Sequence, residues 1–208
     1  MENNLPKEWE GILNPIKLKT TLIKAGIYLV SYETLKNTIV DKLKDLYSIR
    51  WEYDEHTGKI ISVQSPDFKN KVISLYPKDE FQACCLWFYN RNAINENDLE
   101  NIALIRRQRN IIAHELEKFI TAELNINEER LKSLVSISNK IDRWWLKEVE
   151  LPTDPDFNPD ELKQIDWDAA TGGNSFLLEI LETVFNGDDE TLKKIHSLFT
   201  LAYSKKSG

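Results

Sequence analysis

Cysteine and histidine are scarce in this 208-residue sequence, and each scarcity removes a class of protein. The only two cysteines, Cys84 and Cys85, are adjacent and poorly placed to bridge one another, which excludes a disulfide framework. His56, His114 and His196 are scattered, with no cysteine or carboxylate cluster at ligand spacing, so no metal site and no cofactor are expected. No apolar run approaches the ~18 residues of a membrane span, and Met1-Glu2-Asn3-Asn4 lacks the basic and apolar regions of a signal peptide. The expectation is a cytoplasmic chain without a membrane partner. Any catalysis then uses side chains alone, or a metal carried in with the substrate.

Basic residues do not predominate either. The formal net charge is −7, which argues against a broadly basic nucleic-acid-binding surface. Its distribution changes that reading. Glu148, Glu150, Asp154, Asp156, Asp160, Glu161, Asp166 and Asp168, opposed by Lys163 alone, hold the whole imbalance, and the rest of the chain is neutral. A local basic site around Arg106, Arg107 and Arg109 stays open.

Apolar side chains are plentiful and recur at helical spacing. Asn14 and Pro15 read as the cap and first residue of a helix to about Tyr47, with Leu18, Leu22, Ala25, Leu29, Tyr32, Leu35, Ile39, Leu43 and Leu46 as its core-facing stripe. Between Ser48 and Val63, β-branched and aromatic residues flank a turn-forming stretch and predict a small hairpin. Lys69, Lys71 and Lys78 read as solvated surface. A helix from about Lys78 to Asn92 carries Phe81, Cys84, Cys85, Trp87 and Phe88 toward the core, and Asn95 or Asn97 caps the next.

That next helix, expected from Asp98 to Leu124 because no glycine or proline interrupts it, holds Arg109 in the middle of a stripe formed by Ile102, Ile105, Ile112, Leu116, Phe119 and Ile120. A cation among isoleucines must recover its lost hydration. So Arg109 has partners, or the helix bends there, or the stripe opens onto a site. Tyr32 and Glu33 are candidate partners; a half-exposed surface pair is the other reading. Asn110 and His114, four residues apart, neighbour each other on a second face that Arg109 is long enough to reach. A permanent cation, an amide and a group titrating near neutral pH are the parts for handling a phosphodiester.

Arg109-Asn110-x-x-Ala113-His114 resembles the R-x4-H motif of the HEPN superfamily, and the neighbouring residues resemble its context: Tyr32-Glu33 followed by Leu35-Lys36 upstream, and Ile94 and Asp98 leading into the motif helix. The resemblance covers roughly residues 14 to 125. It implies a helical, usually dimeric domain, and many members are metal-independent RNases of toxin-antitoxin, abortive-infection or other antiphage systems. By that resemblance the ribose 2′-hydroxyl attacks the adjacent phosphorus, His114 moves the proton, Arg109 stabilises the phosphoryl charge and Asn110 orients the site. Arg106 and Arg107 are candidates for substrate contacts. RNA and an antitoxin or other regulatory protein are the implied partners. Two alternatives stand beside it: a non-catalytic module of this type binding nucleotide, RNA or a protein, and a helical interaction protein in which Arg109 only closes a buried ion pair.

A further helix, about Asn127 to Val149, carries Trp144-Trp145, read as core packing with base stacking as the alternative. Glu150 to Gly173 reads as an extended, exposed acidic connection, able to shield the basic site if Phe157, Leu162, Ile165 and Trp167 anchor it. Asn174 or Ser175 caps a helix ended by Asn186-Gly187, and a last helix includes His196 as a packing residue. A second apolar line on the motif helix, Leu104, Ile111 and Ala122, predicts a two-fold homodimer. The fold expected is therefore mainly all-α: an antiparallel HEPN-like bundle over residues 1–149 with a hairpin insertion near 48–63, and an acidic connection with C-terminal helices over 150–208 packed on the same domain.

Overall fold

A computed structural model of the chain describes residues 9, 12–56, 58–121, 124–155, 158, 160, 163, 165–167 and 170–204. Helix α1 (Pro15–Leu46) begins where the sequence places its cap: Asn14 Oδ1 accepts from the backbone N–H groups of Ile16 and Lys17, each at 3.1 Å. Two of the donors that a helix start leaves orphaned are thereby satisfied. Its inner face, from Ala25 through Tyr28, Leu35 and Ile39 to Leu43, is buried. Helices α3 (Glu80–Tyr89), α4 (Glu96–His114), α6 (Glu128–Trp145) and α8 (Gly173–Asn186) pack against it.

The stripe expected on α1 is not covered over its whole length. Leu22 is 43% exposed, and on the side away from the core Ile16, Ile23 and Val30 are 77%, 54% and 53% exposed.

After α1, strand β1 (Ser48–Asp54) pairs antiparallel with β2 (Lys59–Gln64), with Asp54 opposite Lys59 and a bulge near Ser48. Trp51, Tyr53 and Ile60 point to solvent from one face of this hairpin. A short helix, α2 (Pro66–Lys71), and a 3-10 turn at Ile73–Leu75 follow. Two lysines masked this segment in the sequence, yet its apolar residues Phe68 and Val72 are buried. Trp144 meets the rings of Trp87 and Phe88 edge-on at 6.0 and 5.9 Å, and Trp145 is 6% exposed, so the tryptophan pair is core packing.

The motif helix is shorter than its pattern implies. Asn95 caps α4 in a reciprocal box with Asp98, but the helix stops at His114, where Glu115 leaves the helical region at φ −133° and ψ 36°. A separate short helix, α5 (Leu116–Ile120), then turns onto α1 and buries Phe119. Local propensity favours continuing; burial of an aromatic ring outweighs it. The buried line on α4 also differs from the expectation. It runs through Asp98, Ile102, Ile105, Gln108 and Ile112, so Gln108 rather than Arg109 lies in the stripe. Gln108 is satisfied there, accepting from Arg130 Nη1 at 3.0 Å. Of the second apolar line, Leu104 is 43% exposed, Ile111 is half-buried against the core, and Ala122 lies outside the described residues.

α6 loosens into a π-turn at Leu146–Glu150 and a last turn, α7 (Leu151–Thr153). In the acidic segment Ile165 and Trp167 are half-buried; Phe157 and Leu162 lie outside the described residues. α8 starts at Gly173, one residue before the expected caps; Asn174, exposed, and Ser175, buried, bond to neighbouring helices instead. Asn174 Nδ2 donates to Thr38 Oγ1 of α1 at 2.9 Å, and Ser175 Oγ donates to Asp142 Oδ2 of α6 at 2.5 Å. Asp142, 7% exposed, also pairs with Lys42 at 3.2 Å. Leu178 and Phe185 carry α8 into the same core as α1 and α6. Gly187, at φ +71°, closes α8 in the left-handed conformation that glycine adopts without strain, and α9 (Asp189–Ser204) packs on α8. His196 is exposed, as are Leu198 and Phe199, so it is not the packing residue expected; α9 covers α8 and nothing among the described residues covers α9's outer side.

The α1–α6–α8 joint generates a test. A Cβ at position 172 would run into the Asp142 carboxylate, so the chain passes there only as glycine. Gly172→Ala is expected to cost about 1–3 kcal/mol by overpacking, and Asp142→Ala about 3 kcal/mol because it strands Lys42 and Ser175. Urea denaturation of the two variants checks both, with no such loss expected in a Gly173→Ala control, whose Cβ meets open space.

Candidate functional site

Arg109 leaves α4 at its seam with α1. Its Nη2 lies 2.5 Å from Glu33 Oε1, its Nη1 donates to Asn110 Oδ1 at 3.3 Å, and its guanidinium stands over the Tyr32 ring, 5.5 Å from the centroid. Tyr32 is the buried floor of this arrangement and Glu33 the counter-ion; of the three readings for Arg109, the one that gives it partners is realised. Burial pushes the Tyr32 hydroxyl above its ordinary pKa, while Arg106 pulls the other way. Arg109 Nε, buried, has no hydrogen-bond acceptor among the described residues.

Arg106, one turn before Asn110, is tied to Asp79 at 2.5 Å. Asp79 has two tasks. Its Oδ1 accepts from the Gln82 backbone at 3.0 Å as the N-cap of α3, and its Oδ2 takes the Arg106 guanidinium. Burial alone would raise this carboxyl; the Gln82 amide and Arg106 outweigh it and hold the pKa below the usual carboxylate value. Sequence reading missed Asp79, although Asp79 followed three residues later by Gln82 is a helix-start signature.

Arg107, Asn110 and His114 are exposed. His114 is the last residue of α4, and its ring makes no hydrogen bond or ion pair among the described residues. Asn110 and His114 share a face, as their spacing demands. Arg109 does not reach round to His114; Glu33 holds it on the α1 side.

Two hollows meet along the ridge formed by Arg106 and Asn110. The one on the α1 side, about 460 Å³, is lined by Arg106, Arg109, Lys36 and Lys44 together with Glu33, Asp41, Asp79 and Glu80. Its cations are largely compensated: besides the two arginine pairs, Lys44 lies 3.2 Å from Glu80 and Lys36 3.7 Å from Glu33. The other hollow, about 430 Å³, has Ile102, Ala103 and Ile111 below and Gln82, Arg107, His114 and Glu115 around it. The sequence places a cation, an amide and a histidine in one site; the structure divides them, with Arg109 on one side of the ridge, His114 on the other and Asn110 and Arg106 bordering both. No residue of the acidic segment 148–168 lines either hollow among the described residues.

The described residues contain no group of three or more His, Cys, Asp or Glu placed to hold a metal ion, and none of their helices is long and apolar enough to cross a membrane.

The depressed Asp79 carboxyl sets a pH test. Its folded pKa is below the unfolded value, so the stability it contributes is present above the unfolded value near pH 4 and is lost as pH falls through the folded value. Asp79→Asn keeps an amide oxygen for the cap but loses the charge that faces Arg106 and the start of α3, and is therefore expected to destabilise the protein by about 0.5–1 kcal/mol at pH 7, with the difference from the wild type shrinking in denaturation series as the pH falls below about 4.

Comparison with known proteins adds no relative: no family model, no curated protein and no solved structure matches the chain.

Proposed function

We propose that the chain is a metal-independent endoribonuclease of HEPN type, with Arg109, Asn110 and His114 as its reactive group. The observation that carries this reading is the ridge on α4: an exposed histidine with no partner among the described residues, next to an amide that a guanidinium holds from the other side. A phosphodiester lying across Asn110 meets a cation on one flank and a proton carrier on the other. In the reaction the ribose 2′-oxygen bonds to phosphorus, the bond from phosphorus to the 5′-oxygen breaks, and His114 takes the proton of the attacking hydroxyl or returns one to the leaving oxygen. Arg109 holds the phosphoryl oxygens. Arg106 and Arg107 steer the strand. The role that the family resemblance implies is a toxin-antitoxin, abortive-infection or antiphage effector held in check by an antitoxin or other regulatory protein.

The Glu33–Arg109 pair favours a second reading, in which the domain binds nucleotide, RNA or a protein without cutting. A guanidinium already matched by a carboxylate positions a ligand more readily than it responds to developing charge. The two readings separate on His114. On the first, His114→Ala and Arg109→Ala each abolish cleavage, the double variant is no worse because the residues act as a unit, and Arg109→Lys fails because it loses the planar fork. Activity survives EDTA, and products carry 2′,3′-cyclic phosphate and 5′-hydroxyl ends. RNA bound but left intact by the wild type, with binding weakened by Arg109→Ala, establishes the second.

A homodimer is part of the proposal, and its surface is α1 rather than the line on α4. Ile16, Ile23 and Val30 are seven residues apart and more exposed than Leu104 or Ile111. The pattern is symmetric about Ile23, so in an antiparallel pairing Ile16 of one copy faces Val30 of the other, as a two-fold contact requires. Sedimentation at micromolar concentration is expected to give a dimer that Ile23→Glu converts to monomer; a monomeric wild type refutes the interface.

A further inference from the structure

We propose that the hollow beside His114 is a subsite for one unstacked nucleobase of the bound strand. The inference rests on the phosphodiester reading of the ridge and goes beyond it, because the ridge alone says nothing about bases.

The two hollows flanking the ridge differ in chemistry. The α1-side hollow is walled by ion pairs, and a flat apolar ring placed there would strip solvent from charges without replacing it. The His114-side hollow has an aliphatic floor formed by the exposed Ala103 and the half-buried Ile111, with the buried Ile102 between them contributing little surface of its own. A base face lying on that floor displaces water from apolar carbon at no electrostatic cost. Around the floor stand groups matched to a base edge. Gln82 is half-buried in the wall, and its side-chain amide makes no hydrogen bond among the described residues, since only its backbone is used, by Asp79. An amide offers a donor and an acceptor side by side, the complement of the adjacent donor and acceptor on a base. Asn110 spends its Oδ1 on Arg109 and keeps its NH2 group for a ligand. Glu115, which would repel a phosphate, is drawn toward Lys118 at 2.6 Å.

The geometry of the strand follows from this difference. With a phosphate on the ridge, one neighbouring nucleoside lies over the charged hollow, held by ribose and phosphate contacts alone, and the other sets its base on Ala103 and Ile111 with Gln82 at its edge. Selection by base then acts on one side of the phosphate only.

The test uses the full chain, titrated by nuclear magnetic resonance with inorganic phosphate, with ribose 5-phosphate, and with the 2′-deoxy dinucleoside monophosphates dApdA, dCpdC, dGpdG and dTpdT, which lack the attacking 2′-hydroxyl and stay intact during the titration. The wild type is expected to bind at least one dinucleotide about tenfold more tightly than ribose 5-phosphate, as one stacked and hydrogen-bonded base supplies, and to shift the Gln82 side-chain amide on binding. Ala103→Trp fills the hollow from an exposed helix position and is expected to remove that advantage while inorganic phosphate binding stays within about twofold. Gln82→Ala is expected to level the four dinucleotides and serves where the tryptophan variant fails to fold. If the wild type binds phosphate but does not distinguish dinucleotides from ribose 5-phosphate, or if Gln82→Ala leaves their ranking unchanged, the subsite is overturned and the phosphodiester reading stands. If neither phosphate nor any nucleotide binds, the reading of the ridge falls first and the subsite with it.

Discussion

Burial of the inner face of α1 is the constraint on which the rest of this fold depends. A 32-residue helix is too long for one neighbour to cover, and Tyr28, Leu35, Ile39 and Leu43 reach near-complete burial because α3, α4, α6 and α8 each take a share. The packing of α4 follows directly. Tyr28 donates its hydroxyl to the carbonyl of Ile105, one turn before Arg109 on α4, and so ties the two helices together where both are most buried. With that contact fixed, the residue one turn further along α1, Tyr32, lies under the Arg109 guanidinium, and Glu33 sits at its tip. The candidate site is a consequence of how the core closes.

The C-terminal helices enter the same scheme by polar contacts as well as by the burial of Leu178 and Phe185. Asp142, Ser138 and Ser175 form a buried group in which Ser175 lies 2.8 Å from Ser138 and 2.5 Å from Asp142, and Lys42 reaches in from α1. Buried polar groups are costly when one partner is missing and specific when all are present. With all partners present, the group joins α8 to α6 and α1 at one point.

Much of this was legible in the sequence. The cap at Asn14, the hairpin, the aromatic core helix and the closing glycine at 187 were read from local rules that the structure leaves intact, because each is satisfied within a few residues. The α4–α5 break was not legible: nothing between Asp98 and Leu124 opposes a helix locally, and only the distant surface that buries Phe119 ends it. Gln108 escaped notice for a similar reason. A glutamine in an apolar stripe reads as an error in the pattern until Arg130, 22 positions away, is seen to satisfy it. At the site itself Tyr32 and Glu33 could be named as candidate partners of Arg109 from the need of a cation for a carboxylate or phenol, beside the reading of a half-exposed surface pair, whereas the separation of Arg109 from His114 was not legible. Helical spacing places side chains on faces; it does not say which neighbour draws a long side chain to one side.

That separation has a physical consequence for any anionic ligand. Arg109 and Glu33 are 32% and 38% exposed, and a pair so open to water is worth about 0–1 kcal/mol. It holds Arg109 in place without locking it. A phosphoryl group carries more acceptor oxygens than a carboxylate and takes a guanidinium in the same forked geometry, so it exchanges for Glu33 at little cost. On the other side of the ridge no exchange is needed, because Arg107 and His114 have no counter-ion among the described residues. Under the proposed reading an approaching strand meets the uncompensated side first, and Arg109 joins second by leaving Glu33, so that the cation and the histidine then address the same phosphate.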